Sequence, residues 1–162
     1  MRLILFMTLI LSFSCGTETG NPFDGGNASN QVGYPEDNDE PSEGTLQILR
    51  EVCSKLNDCF SVNNYDCEVS IFGSVDGFDS KYSIPVTDYS IYKDIYLAEK
   101  NNDLTVNDGN LATCIADIKT LSCGSVNVTT AYSNSSPNDY SNSSAVIPLG
   151  PGSCQDTFDV SL

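Results

Sequence analysis

Three stretches of the chain repeat apolar side chains at steps of three and four residues. Together they predict a mainly α fold. In the first, Leu46, Leu49, Val52, Cys53, Leu56 and Phe60 fall on one face of a helix over residues 45–60. Thr45 is its expected N-cap, and Glu51 with Lys55 forms a favourable i,i+4 pair on the wetter face. The second covers residues 88–100, with Ile91 and Ile95 on one side beside Tyr92, Tyr96 and Leu97. Tyrosines so placed suit the edge of an amphipathic core more often than a binding surface. The third covers residues 108–122. Asp108 stands as its cap, Leu111, Cys114, Ile115, Ile118 and Leu121 form its apolar stripe, and Gly124 is placed to stop it.

The segments between are shorter and less regular. Asn63-Asn64-Tyr65-Asp66 is a turn signal, with Asp66 able to cap a short helix from Cys67 to about Phe72. The glycines at 73 and 77 break it, and Ser83-Ile84-Pro85-Val86 is extended because the residue before a proline disfavours helix. Tyr132-Ser133-Asn134-Ser135-Ser136 recurs as Tyr140-Ser141-Asn142-Ser143-Ser144. A repeat that short cannot form a solenoid unit, so residues 129–146 are expected to be a polar, exposed, mobile loop. Gly150-Pro151-Gly152-Ser153 then leads as a rigid turn to Cys154.

The N-terminus has a different grammar. Met1 and Arg2 give a positive start, residues 3–11 are apolar apart from Thr8, and Ser12-Phe13-Ser14 leads to Cys15. Charged start, short apolar core and small residue before the cut describe a secretory signal peptide over residues 1–14. The run falls short of the ~20 apolar residues needed to cross a bilayer. Residues 16–44 carry seven acids (Glu18, Asp24, Glu36, Asp37, Asp39, Glu40 and Glu43) and no base among Gly, Asn, Ser and Pro. Such a segment buries too little apolar surface to offset chain entropy, so residues 15–44 are expected to be a disordered acidic tether. The domain proper is then expected over residues 45–162.

Seven cysteines, an odd number, call for an explanation in an exported chain: Cys15, Cys53, Cys59, Cys67, Cys114, Cys123 and Cys154. Setting Cys15 aside leaves six for three disulfides. Fifteen pairings are open; local reach favours Cys59 with Cys67 and Cys123 with Cys154, leaving Cys53 for Cys114. No C-x-x-C pair is present, which argues against zinc and against a thioredoxin-like redox site. The cut site Ser14-Cys15 resembles a bacterial lipobox, although Ser12 stands where that pattern usually has leucine. Cys15-Gly16-Thr17-Glu18-Thr19-Gly20-Asn21-Pro22 resembles the mature start of many Gram-negative surface lipoproteins. That resemblance implies fatty chains on Cys15 and a place at the outer membrane, on its periplasmic or its exposed side. The spacings Cys53-Ser-Lys-Leu-Asn-Asp-Cys59 and Cys114-Ile-Ala-Asp-Ile-Lys-Thr-Leu-Ser-Cys123, with the closing Gly-Pro-Gly-Ser-Cys154, resemble small cysteine-rich lipoproteins of uncharacterised function. They imply no site.

Charge and missing residue types narrow the chemistry. The net charge of −15, from 22 acids against 7 bases, disfavours nucleic acid, whose phosphates need Lys and Arg. With no histidine, Ser-His-Asp and Cys-His catalysis, HExxH sites and His-ligated zinc are excluded. The stretch 103–110 looks like a calcium loop, but the EF-hand frame needs glycine at 108 and glutamate at 114, where Asp108 and Cys114 stand. Asp76 and Asp79 around Gly77-Phe78 fit a turn better than an ion site. The expectation is an envelope or surface protein with a non-enzymatic recognition, adhesion or structural role: a small disulfide-stapled helical domain of three main helices with irregular loops, no cofactor and no metal. Its partners are the membrane, through its lipid, and a protein or glycan. The alternatives are a soluble secreted binding protein, and a hydrolase of envelope polymers built on two carboxylates.

Overall fold

The computed structural model describes residues 33–35, 43–74, 77–84, 89, 91–132, 139–148 and 154–160. The expected signal peptide, Cys15 and most of the expected tether lie outside these residues. The compact unit runs Gly33–Leu162, and so starts ahead of the boundary expected at residue 45.

The fold is mainly helical and small, with three disulfides. Its longest helix, α1 (Gly44–Phe60), lies at the centre. The expected stripe is inside: Leu46, Leu49, Val52, Cys53 and Leu56 are buried, with Ile48 beside them. α1 packs on α2 (Asn64–Ser74), α4 (Tyr92–Lys100) and α5 (Asp108–Thr120). The three main helices foreseen from periodicity are α1, α4 and α5. Among the described residues three more join them: α2, the single turn α3 (Phe78–Lys81), and α6 (Val126–Ala131). Two short strands, β1 (Leu104–Val106) and β2 (Phe158–Val160), pair antiparallel and bring the C-terminal segment back to the loop before α5.

Several boundaries differ from expectation, each for a local reason. Glu43, in extended conformation, holds the position before α1, while the Thr45 hydroxyl donates to Glu99 Oε2 at 2.6 Å instead of capping. The α5 cap is Asn107, whose Oδ1 accepts from Asn110 N at 3.1 Å, one residue before the expected Asp108. For α2 the cap is Asn63, accepting from Asp66 N at 3.1 Å, so the helix begins earlier than Cys67. α4 begins at Tyr92 rather than 88. α5 ends at Thr120, two residues before the expected Ser122. There the Lys55 ammonium, 8 % exposed, donates to the carbonyls of Lys119 (2.8 Å) and Leu121 (3.2 Å). Those carbonyls have no partner within their own helix, and a lysine from α1 satisfies them. Lys55 is thereby drawn away from Glu51, which pairs with Lys119 at 3.5 Å.

The disulfides are Cys53–Cys67, Cys59–Cys123 and Cys114–Cys154. The number is as expected, and all three expected pairings are replaced. The reason is helix geometry: Cys59 stands six residues after Cys53, about 240° around α1. Cys53 therefore meets Cys67 on α2, and Cys59 meets Cys123 beyond the end of α5. Nearness in sequence decides little, because closing a longer loop costs only logarithmically more.

The duplicated segment also departs from an exposed loop. Residues 133–138 lie outside the described ones. In the second copy Tyr140 and Ser143 are buried, and Ser143 opens a 3₁₀ turn (Ser143–Val146) whose Val146 is buried too. In the first copy Tyr132 stacks on Phe60, ring centroids 4.3 Å apart. The tyrosines of the repeat are packing residues, which composition alone hides.

Candidate functional site

Two clusters of polar side chains meet α1, one within the core and one at its rim. The inner cluster starts at the N-terminus of α1, where backbone N–H groups lack helical partners. Glu99, near the end of α4, takes them: Gly44 N donates to Oε1 at 2.6 Å and Thr45 N to Oε2 at 2.9 Å. A carboxylate is also the favourable charge at that end of a helix dipole. Gly44 leaves the room needed, since a Cβ there would sit 3.1 Å from Val106 Cγ1 and 3.2 Å from Leu111 Cδ2. Below it the Tyr92 hydroxyl donates to the Thr45 carbonyl at 2.6 Å, and the Tyr82 hydroxyl lies 3.0 Å from that of Tyr92. Both phenols are fully buried, and burial is the main force pushing their pKa values well up. Phe78 and Phe158 pack edge-on against these rings. The cluster joins α1, the end of α3 and α4, and it holds the fold.

The rim cluster is different. Tyr34 comes from the segment Gly33-Tyr34-Pro35, within the expected tether, and lies against α1 and α2. Its hydroxyl donates to Glu68 Oε2, and Arg50 Nε of α1 stands 3.9 Å from the same oxygen. The ring meets Phe72 edge-on at 5.4 Å and Tyr65 at 6.2 Å. Tyr65, Glu68 and Phe72 stand three and four residues apart on α2 and so share one face. Phe72 continues the contact inward to Tyr96 of α4. Partial burial and the bond to Glu68 push the Tyr34 hydroxyl up to about 12, with Arg50 pulling the other way. Tyr65 remains 48 % exposed, so this aromatic face reaches the surface. Chemically the arrangement is a phenol receptor: ring edges on two sides and a carboxylate acceptor whose side chain is only 12 % exposed.

The sequence-predicted residues are distributed as follows. Tyr92 and Tyr96 are core residues, and Leu97 packs at its margin. The loop at 103–110 is β1 followed by the α5 cap, with Asn110 Nδ2 donating to the Asp156 carbonyl at 2.7 Å. Among the described residues no group of three His, Cys, Asp or Glu side chains is placed to hold a metal ion. Asp76 and Cys15 lie outside the described residues; Asp79 sits partly exposed on α3. The six bridged cysteines are structural links. Cys53, Cys67, Cys114 and Cys154 are sealed in the core, while Cys59 is half-buried and Cys123 exposed. No helix of the described residues is long and apolar enough to cross a membrane.

Sequence reasoning missed Tyr34. One signal was available: an aromatic followed by proline, set in a segment with few other apolar residues. Comparison of the chain with protein-family models, with curated proteins and with solved structures gives no match.

Proposed function

We propose that this chain is a bacterial envelope lipoprotein, exported by residues 1–14, lipid-anchored through Cys15, and acting by recognition or adhesion rather than catalysis. The observation that carries it is cysteine usage. Three bridges take six of the seven cysteines, and the seventh is Cys15, directly behind an apolar leader. Disulfides in this number fit an oxidising compartment outside the cytoplasm. A single acyl chain binds a membrane weakly and reversibly, and two or more hold durably. Anchoring of the lipoprotein kind supplies that many on one cysteine. For recognition the support is the aromatic rim on α1 and α2, which reaches the surface beside an acceptor of defined chemistry.

Intact-mass analysis of the processed chain tests the anchor. The expected result is an N-terminal Cys15 carrying acyl mass, with partition into detergent; Cys15→Ser partitions into water. A processed chain with Cys15 unmodified would overturn the anchor.

A further inference from the structure

We infer that the rim formed by Arg50, Tyr65, Glu68 and Phe72 is a binding site for a tyrosine in an extended peptide, occupied in cis by Gly33-Tyr34-Pro35 and open to exchange with a tyrosine-bearing segment of a partner protein. The inference deepens the recognition role proposed above and rests on it.

The site has the parts of a selective receptor. Glu68 accepts the phenol hydroxyl, and Arg50 stands within 3.9 Å of the same oxygen. A phenylalanine would make the same ring contacts with Phe72 and Tyr65 and would leave the carboxylate without that donor. Sites that bury a hydrogen-bonding group discriminate in this way against the analogue that lacks it. Pro35 sets the shape of the occupant, because the residue before a proline prefers extended backbone. The strand-like Tyr-Pro unit therefore arrives with little ordering left to do.

The attachment is also of a strength that permits exchange. Hydrogen bonds to Glu68 and Arg50 and the edges of Phe72 and Tyr65 hold Tyr34 at the margin of the core, where it stays half-buried, and its chain joins α1 through residues 36–42. A short connection gives the strap an effective concentration on the order of millimolar. A partner segment with more contacts than this one overcomes that competition, whereas a chance tyrosine does not.

The test uses a fluorescent peptide of residues 29–37, titrated into the processed, disulfide-bonded chain. Tyr34→Ala is expected to bind it at least about tenfold more tightly than wild type, because the strap no longer competes. A peptide with phenylalanine at the tyrosine position should bind Tyr34→Ala about tenfold more weakly, as for one lost hydrogen bond to a charged acceptor. Adding Glu68→Leu should abolish that preference. Equal affinity for wild type and Tyr34→Ala, or equal binding of the two peptides, would overturn the inference. Should Tyr34→Ala not fold, Tyr34→Phe gives the same comparison, with a weakened strap and tighter peptide binding than wild type. Equal affinities would leave the lipid anchor standing, and an unmodified Cys15 would leave this binding result standing.

Discussion

Tyr92 and Tyr34 use the same functional group against the same helix and meet different fates. Tyr92 is fully buried between the Thr45 carbonyl and the Tyr82 hydroxyl, which are buried as well. Tyr34 donates to Glu68 at the rim, with the partly exposed Arg50 and the exposed Tyr65 beside it. A lost bond in the first place leaves a buried polar atom unsatisfied; in the second, water takes over much of it. The inner tyrosine is thus a fixture of the fold, and the outer one is a contact at the edge of the core, over Phe72, within reach of solvent.

Mutation should separate the two in a fixed order. Glu99→Ala removes the acceptor for Gly44 N, Thr45 N and the Thr45 hydroxyl. It is expected to cost about 3 kcal/mol in denaturant unfolding, since several buried donors lose their partner at once. A loss under about 1 kcal/mol would mean that water reaches the start of α1. Tyr92→Phe should cost about 2 kcal/mol, by stranding the buried Tyr82 hydroxyl and removing the second donor to the Thr45 carbonyl, which keeps its helical bond. If it were neutral, the buried pair would not be the staple described. Tyr34→Phe comes last, with a cost of about 1 kcal/mol in global unfolding, as for one hydrogen bond to a charged acceptor at a partly exposed site.

The signature of Tyr34 is in pH. Its hydroxyl is raised from 10.0 to about 12, first by burial and then by the bond to Glu68, with Arg50 opposing. The neutral phenol is the docked form. The stabilisation it gives is therefore complete below pH 10 and is lost as pH rises through about 12. In an ultraviolet titration of phenolate absorbance, Tyr34→Phe should lack one late-titrating tyrosine. If the missing component titrates at the ordinary value instead, Tyr34 is not docked in solution.

How much of this was legible depended on whether an element declares itself over many residues. α1 and α5 repeat their apolar positions through several turns, and periodicity found both. The two strands are three residues each, too short for alternation to register, and β1 falls within the stretch that looks like a calcium loop. The count of disulfides followed from parity, yet their partners followed from the helix face each sulfur occupies. Cys53 and Cys59 look like neighbours in the sequence and point to different helices. The i,i+4 spacing of Glu51 and Lys55 is visible in the sequence. The unfilled carbonyls of Lys119 and Leu121 that claim Lys55 are visible only after folding. Tyr34 was hidden for the same reason: its site is the outer face of α2, and no property of residues 33–35 alone announces that face.

The order of the bridges carries one more consequence. The loop closed by Cys53–Cys67 overlaps that of Cys59–Cys123, which overlaps that of Cys114–Cys154. Every peptide bond from Cys53 to Cys154 thus lies inside at least one covalent ring. A protease that nicks the backbone there leaves two pieces that still travel as one molecule until a reductant arrives. In any oxidising compartment that holds proteases, damage to a loop is survivable without loss of any part of this covalently linked stretch.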